Sequence, residues 1–225
     1  VMFIDADEIV SAELKEEITR LLGANPKENG FYVRFRLFFL GKWIKRGYYP
    51  VYILRLFRHA CGRCESRAVN EHFVVEGDIG YLKHDLLHED HRGISHWIDK
   101  HNRYASYEAK QLAVEHSAKV SGEQLFVSQV ATKRWLRHHV WRRLPLLVRP
   151  FLYFAYRYIF KGGFLDGWQA FAYHFLQGLW FQFVIDLKYL ELTRMNKSKP
   201  GSRAARIDHG QNDERPSRNH LGRTP

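Results

Sequence analysis

The chain begins Val1-Met2-Phe3-Ile4 and passes at once into Asp5-Ala6-Asp7-Glu8. Four apolar residues followed by closely spaced carboxylates read as a buried strand with acid groups at its carboxyl end. In open α/β sheets ligands gather at that edge, and an Asp-x-Asp pair there is a compact way to hold a hard divalent cation against a diphosphate. The same residues also suit a turn ahead of a helix, because so short a motif recurs by chance. Gripping a nucleotide diphosphate takes further strands and loops for base and ribose. None precedes Val1, so the expectation is the carboxyl-terminal part of a longer protein.

Downstream, the hydrophobic period switches between helix and strand. Ser11 suits an N-cap for a helix with Leu14, Ile18, Leu21 and Leu22 on one face and Glu13, Glu16 and Glu17 near its positive end, finished by Asn25-Pro26. From Phe31 the period becomes two: Phe31, Val33, Phe35 and Leu37 alternate with Tyr32, Arg34 and Arg36, and a second extended run covers Val51 to Phe57. A hairpin or paired strands follow from this, with the basic and aromatic stretch Lys42 to Tyr49 at the tip, either contacting a phosphorylated donor or simply solvated. A long helix is expected from about Gly93 to Lys119, its inward stripe made by Ile94, Ile98, His101, Ala105, Glu108 and Leu112, widened by Trp97 and Tyr104. His101 and Glu108 on that stripe suggest either a polar contact with the acidic strand end or a satisfied core network.

An apolar content of 45% over 225 residues is enough to bury a core, and the formal charge of +11 asks for an anionic partner: nucleic acid, an acidic membrane or phosphorylated substrates. Cys61 and Cys64 lack a second pair to complete a zinc site and read as two reduced thiols. His84, His88 and His91, among Asp85, Glu89 and Asp90, offer metal-ligating or acid/base groups. His88 and His91 stand three apart, unlike the helical His-Glu-x-x-His of zinc proteases.

Charge is concentrated in one region. Lys133, Arg134, Arg137, Arg142, Arg143 and Arg149, interleaved with Trp135, Leu136, Val140 and Trp141, describe a basic amphipathic helix broken near Pro145 and Pro150, a composition that favours anionic lipid headgroups. Gly167 to Ile185 carries no charged residue, close to the length of a membrane span. Gln169, His174, Gln177 and Gln182 interrupt it, and Trp168, Phe171, Phe175, Leu179, Phe183 and Leu187 form a stripe along one side, so an in-plane or shallowly inserted aromatic helix pair is the expectation, with a helical hairpin packed on the preceding α/β domain or on a dimer partner as the alternative. Beyond Met195 too few apolar residues remain to fold. Three regions result: 1–120, 121–194 and 195–225.

Phe3-Ile4-Asp5-Ala6-Asp7-Glu8, Gly41-Lys42-Trp43-Ile44, Tyr49-Pro50, Arg55-Leu56-Phe57-Arg58, Asn70-Glu71-His72 and His96 through Ala105, in this order, resemble the bacterial family 2 glycosyltransferases that build lipopolysaccharide core and exopolysaccharide. The resemblance covers roughly residues 1 to 190. It implies a partial GT-A fold without its amino-terminal strands, followed by a helical membrane-docking region. It also implies a nucleotide-sugar donor, a lipid-linked or polysaccharide acceptor, a magnesium or manganese ion, and a place on the cytoplasmic face of the bacterial inner membrane. Residue by residue, Asp5 and Asp7 match the metal and diphosphate motif, with Asp5 on the nucleotide side. Glu71 matches the base, His84 the downstream metal histidine, and Arg55 and Arg58 phosphate or acceptor contacts. One departure is Val51, where an acidic residue commonly follows Tyr-Pro.

Such a set performs a single displacement that inverts the anomeric centre. The alternatives are an inactive fragment or peripheral membrane module without catalysis, and a metal-dependent hydrolase built on His84, His88 and His91. A nucleic-acid binder is disfavoured: the motifs of the common modules are missing, and Phe151 to Leu192 is too apolar for a groove reader.

Overall fold

The computed structural model describes residues 1–64, 73–117 and 144–198; side chains of 115–117 and 196–198 are left aside. Strand β1 (Glu8–Val10) is followed by helix α1 (Ala12–Gly23), whose N-cap is Ser11: its hydroxyl accepts the Leu14 N–H at 3.2 Å. Leu14 is fully buried, and Ile18 and Leu21 continue the same face against the sheet.

At the centre of the sheet lies β2 (Gly30–Phe39). On one side β7 (Ile79–Glu89) runs parallel to it, and β1 is antiparallel on the outer edge of β7. On the other side β4 (Val51–Phe57) pairs antiparallel with the first half of β2, and β3 (Lys42–Trp43) with its last two residues. A separate antiparallel pair, β5 (Gly62–Cys64) and β6 (Phe73–Val75), packs Val75 against Tyr32, Leu54 and Phe57.

Period-two alternation sorts the two faces of β2. Phe31, Val33, Phe35, Leu37 and Phe39 are buried, the first two with Leu14 and the last three with Trp97, Ala170 and Tyr173. The intervening Arg34 and Arg36 converge on Asp85 of β7, which is 3% exposed; Arg34 Nε lies 2.8 Å from it, and the Tyr49 hydroxyl donates to it at 3.3 Å. A buried carboxylate in the sheet is thus paired with two part-exposed arginines.

The first four residues differ from expectation. Val1, Phe3 and Ile4 are exposed and form no buried strand; they run along the outer edge of β4, joined by the Met2–Leu56 bridge, by Phe3 N–H to the Arg55 carbonyl at 2.9 Å and by Phe57 N–H to the Val1 carbonyl at 3.0 Å. Asp5 to Asp7 then form a turn, and the strand that carries the acids into the sheet is β1, after the motif.

The helical part begins with α2 (Gly93–Ser117). After the undescribed stretch come α3 (Arg149–Ala155), a π-helical turn (Tyr156–Phe160), a 3₁₀ turn (Gly163–Asp166), α4 (Trp168–Tyr173), a second π-helical segment (His174–Trp180) and α5 (Phe181–Ser198). Residues 118–143, including most of the expected basic helix and the boundary at 120, lie outside the described residues. Residues 144–148 are not helical, and Pro150 sits in the first turn of α3, where it needs no N–H partner. Helix α5 packs along α2 through Ala105, Phe181 and Ile185, and Lys188 Nζ donates to the Asn102 carbonyl at 2.7 Å and to Ser106 Oγ at 2.7 Å. Among the described residues no helix is long and apolar enough to cross a membrane.

Three buried polar groups fasten these helices to the β3–β4 loop and to one another. Asp166, 6% exposed, accepts the backbone N–H groups of Lys45 (2.8 Å) and Arg46 (2.6 Å) and pairs with the Arg46 guanidinium (2.7 Å). Arg157 donates to the Gly47 carbonyl at 2.9 Å and spreads over the rings of Tyr48, Tyr153 and Tyr173. Asp186 pairs with the buried Arg149 (2.9 Å) and accepts the Leu147 N–H at 2.9 Å. Gly47, at φ +75, must be glycine for a second reason: a Cβ there would stand 2.4 Å from the Arg157 carbonyl oxygen. The backbone of Lys45 to Gly47 and the Tyr48 ring thus form the seat on which the carboxyl-terminal helices rest, while Lys42, Lys45 and Arg46 stay exposed to solvent.

Candidate functional site

The Asp5–Asp7 turn closes on itself. Glu8 N–H donates to the Asp5 carbonyl at 3.0 Å, and Asp5 N–H donates back to the Glu8 carboxylate at 2.9 Å. Arg55 of β4 reaches both Asp5 and Glu8, so its guanidinium holds the turn in place. Glu8 is buried, which raises its carboxyl above the ordinary range; the Asp5 N–H and the Arg55 charge oppose that rise.

Asp7 points to the opposite side of the turn, toward the carboxyl end of β7. Its carboxylate lies 3.5 Å from His88 Nδ1, 3.2 Å from Arg92 Nη2 and 3.6 Å from Lys100 Nζ. The Glu8–His88 pairing of β1 with β7 makes this meeting possible, and Glu89 N–H fixes the backbone by donating to the Asp7 carbonyl at 3.1 Å. Arg92 also grips Asp90 at 2.7 Å, which drives the Asp90 carboxyl far below its usual range.

His88 is the informative member. Its ring packs on Phe35 at 5.0 Å, and Nδ1 is buried with no hydrogen-bond partner. Burial lowers its pKa, more than the nearby Asp7 charge restores, so the neutral imidazole with a free lone pair is favoured. Carboxylate plus neutral imidazole is a donor pair that divalent cations accept, manganese more readily than magnesium. These residues fit a cation as a two-donor partial site. Among the described residues there is no group of three or more metal-ligating side chains, so the remaining positions would fall to ligand oxygens and water.

The other expected residues lie elsewhere. His84 faces α1, where Nδ1 lies 2.8 Å from the Glu17 carboxylate and its N–H donates to the same group at 2.9 Å. The histidine beside Asp7 is His88, four residues farther along β7. His91 is largely exposed, 3.9 Å from Glu89, so the three histidines form no cluster. Arg58 donates to Asn25 Oδ1 (3.2 Å) and the Pro26 carbonyl (2.7 Å), fastening the α1–β2 connection, with no contact to the Asp5–Asp7 turn. His101 stacks on Trp97 with centroids 3.5 Å apart and bonds the Trp97 carbonyl at 2.8 Å; burial takes its pKa down to about 4. It is a core group, not a contact of the acidic turn. Glu71 lies outside the described residues. Arg92 and Lys100 were not singled out from sequence, although Lys100 stands in the stretch that carries the family resemblance; only the fold puts it over Asp7.

No protein-family model matches the chain, and no solved structure matches it. One curated relative, the lipopolysaccharide core biosynthesis glycosyltransferase LpsC of Rhizobium meliloti (strain 1021), is 34% identical over 115 residues, covering 48% of this chain. The match spans 41% of that relative's length, less than half of it. This similarity supports a glycosyltransferase relationship, consistent with the mixed α/β architecture and helical carboxyl-terminal part.

Proposed function

We propose that the chain contributes the cation and diphosphate edge of an inverting glycosyltransferase of the family 2, GT-A type. It would move a sugar from a nucleotide-sugar donor to a hydroxyl of a lipid-linked saccharide in lipopolysaccharide synthesis. The observation that carries this reading is the meeting of Asp7 and the unpartnered Nδ1 of His88 at a strand end, flanked by Arg92 and Lys100. It is joined by the similarity to a lipopolysaccharide core glycosyltransferase.

Asp7 and His88 would hold a divalent cation, which when bound supplies positive charge against the departing diphosphate. Arg92 and Lys100 add fixed cations beside it. Arg55 acts at one remove, pinning the turn through Asp5 and Glu8. Glu71 is proposed to take the proton of the acceptor hydroxyl. The hydroxyl oxygen then forms its bond to the anomeric carbon as the carbon–oxygen bond to the diphosphate breaks, and the diphosphate leaves with the electron pair.

Transfer of a labelled sugar from nucleotide-sugar donors to lipid-linked core saccharides tests the reading. Asp7→Asn and Glu71→Gln are expected to abolish transfer while leaving the far-ultraviolet circular dichroism unchanged. Near-normal turnover in either variant removes that residue from the mechanism.

A further inference from the structure

The two faces of the sheet are covered unequally. Helix α1 packs on Phe31 and Val33, and the later helices pack on Phe35, Leu37 and Phe39, all on one face of β2. The opposite face carries Tyr32, Arg34 and Arg36, which the β2–β7 register sets beside Tyr81 and Asp85. Among the described residues its hydrophobic cover is the β5–β6 pair, which reaches Tyr32 and Leu54 at one end. Beyond that end the face is open: Arg34 and Arg36 keep 31% and 39% of their side-chain surface accessible.

Rings occupy one end of this open face and cations the other. Tyr81, 50% accessible, stacks on Tyr32 at 5.3 Å and meets Tyr52 edge-on at 5.3 Å, so its ring is backed on one side and half open to solvent. At the other end the Arg36 guanidinium lies 4.5 Å and Lys45 Nζ 4.7 Å from the centre of the Trp43 ring, which Tyr49 braces edge-on at 5.4 Å. Lys45 is exposed, and its ammonium pairs with no carboxylate among the described residues. Asp85 is shared by Arg34 and Arg36, so within this cluster three cations stand against one carboxylate, leaving two positive charges. A phosphate monoester carries about −1.5 to −2 at neutral pH and accepts from several cationic donors at once, which matches that excess. The open tyrosine ring suits the apolar face of a sugar. Tyr32, beneath Tyr81, and Arg36 stand four residues apart on β2, about 13 Å at roughly 3.3 Å per residue, which is longer than one sugar ring.

We propose that this open sheet face binds a phosphorylated oligosaccharide, with one sugar ring on Tyr81 and the phosphate between Arg36 and Lys45. The choice of a saccharide over another phosphorylated chain rests on the glycosyltransferase reading; the two anchors rest on the sheet alone. Strands β2 and β7 run parallel and Leu37 pairs with His88, so the Arg36 end of the row reaches the same carboxyl-terminal edge as Asp7, on the other face. An acceptor held along this row would enter that edge from the side opposite the Asp7–His88 pair.

Phosphorylated lipopolysaccharide core oligosaccharide, freed of lipid by deacylation, and the same oligosaccharide after phosphatase treatment are titrated calorimetrically into the full chain without nucleotide sugar. The phosphorylated form should bind, more weakly at high salt, and phosphatase should lower its affinity at least about tenfold, the effect of losing one charge-assisted contact. Lys45→Ala spares the backbone N–H that holds Asp166; it should remove most of that difference and leave the affinity for the treated form unchanged. Tyr81→Ala should weaken both forms by a similar factor. Asp7→Asn should bind like the wild type, so failure of the transfer reaction and failure of this site are read separately. Absence of binding, equal affinity for the two forms, or wild-type binding by Lys45→Ala or Tyr81→Ala with circular dichroism unchanged overturns the proposal. Tighter binding of a short single-stranded oligothymidylate that displaces the oligosaccharide also overturns it, assigning the face to nucleic acid.

Discussion

Replacing Asp166 with Ala should release the carboxyl-terminal helices from the sheet. The carboxylate is buried and accepts three hydrogen bonds, two of them from the backbone N–H groups of Lys45 and Arg46 at 2.8 and 2.6 Å. Each is charge-assisted and partly buried, so water recovers only part of it, and about 1–1.5 kcal/mol is lost per bond. The third bond goes to the half-exposed Arg46 guanidinium and adds less than about 1 kcal/mol. The sum is about 3 kcal/mol, a large fraction of the roughly 5–15 kcal/mol of a typical domain. Urea unfolding should show the midpoint falling by about 1–2 M at a slope of about 2 kcal/mol per molar. Asp166→Asn keeps one acceptor oxygen and should lose about half as much. Arg46→Ala should be nearly silent, and its coupling to Asp166→Ala should stay below about 1 kcal/mol. A loss under about 0.5 kcal/mol in Asp166→Ala, or a loss in Arg46→Ala that matches it, would refute the assignment of the stability to the backbone donors.

Acid should destabilise the fold through His101 and His174. Burial lowers both from 6.5 to about 4, and for His174 the Arg157 charge adds to the effect. The unfolded chain therefore binds protons that the native state refuses: stability is complete above about pH 6.5 and falls progressively toward pH 4, by about 3 kcal/mol for each ring. Thermal melts of His101→Gln and His174→Gln should show a shallower decline over that window than the wild type, and parallel curves would contradict it. Gly163→Ala should cost about 1–3 kcal/mol, because the new Cβ would stand 2.7 Å from His174 Nε2 and 3.0 Å from the Arg157 carbonyl oxygen. Gly23→Ala meets nothing within 4 Å and should be neutral or stabilising in the same denaturation assay.

Local physics was legible in the sequence wherever it acts alone. Ser11 caps α1 as its hydroxyl and the following apolar face required; the alternation from Phe31 to Leu37 became a strand, with Tyr32 on its other face buried as well; and the stripe from Ile94 to Leu112 became α2, with Ile94 itself exposed. What failed depended on long-range register. His84 and His88 share one face of β7, being an even number apart, and only the pairing of Glu8 with His88 decides which of them meets Asp7. Likewise, nothing local tells that Asp166 turns inward to receive the Lys45 and Arg46 amides, or that Val1 to Ile4 lies along β4 as an exposed border. Arg92 and Lys100 escaped notice because a cation following a strand, or on a helix, is ordinarily solvated.

Manganese binding measured by electron paramagnetic resonance, with a nucleoside diphosphate present, tests the Asp7–His88 edge most directly. The wild-type chain should bind the ion with a nitrogen coupling that disappears in His88→Gln and persists in His84→Gln, and Asp7→Asn should lose most of the affinity. Binding undiminished in Asp7→Asn, or a nitrogen signal that vanishes with His84 instead of His88, would contradict the account.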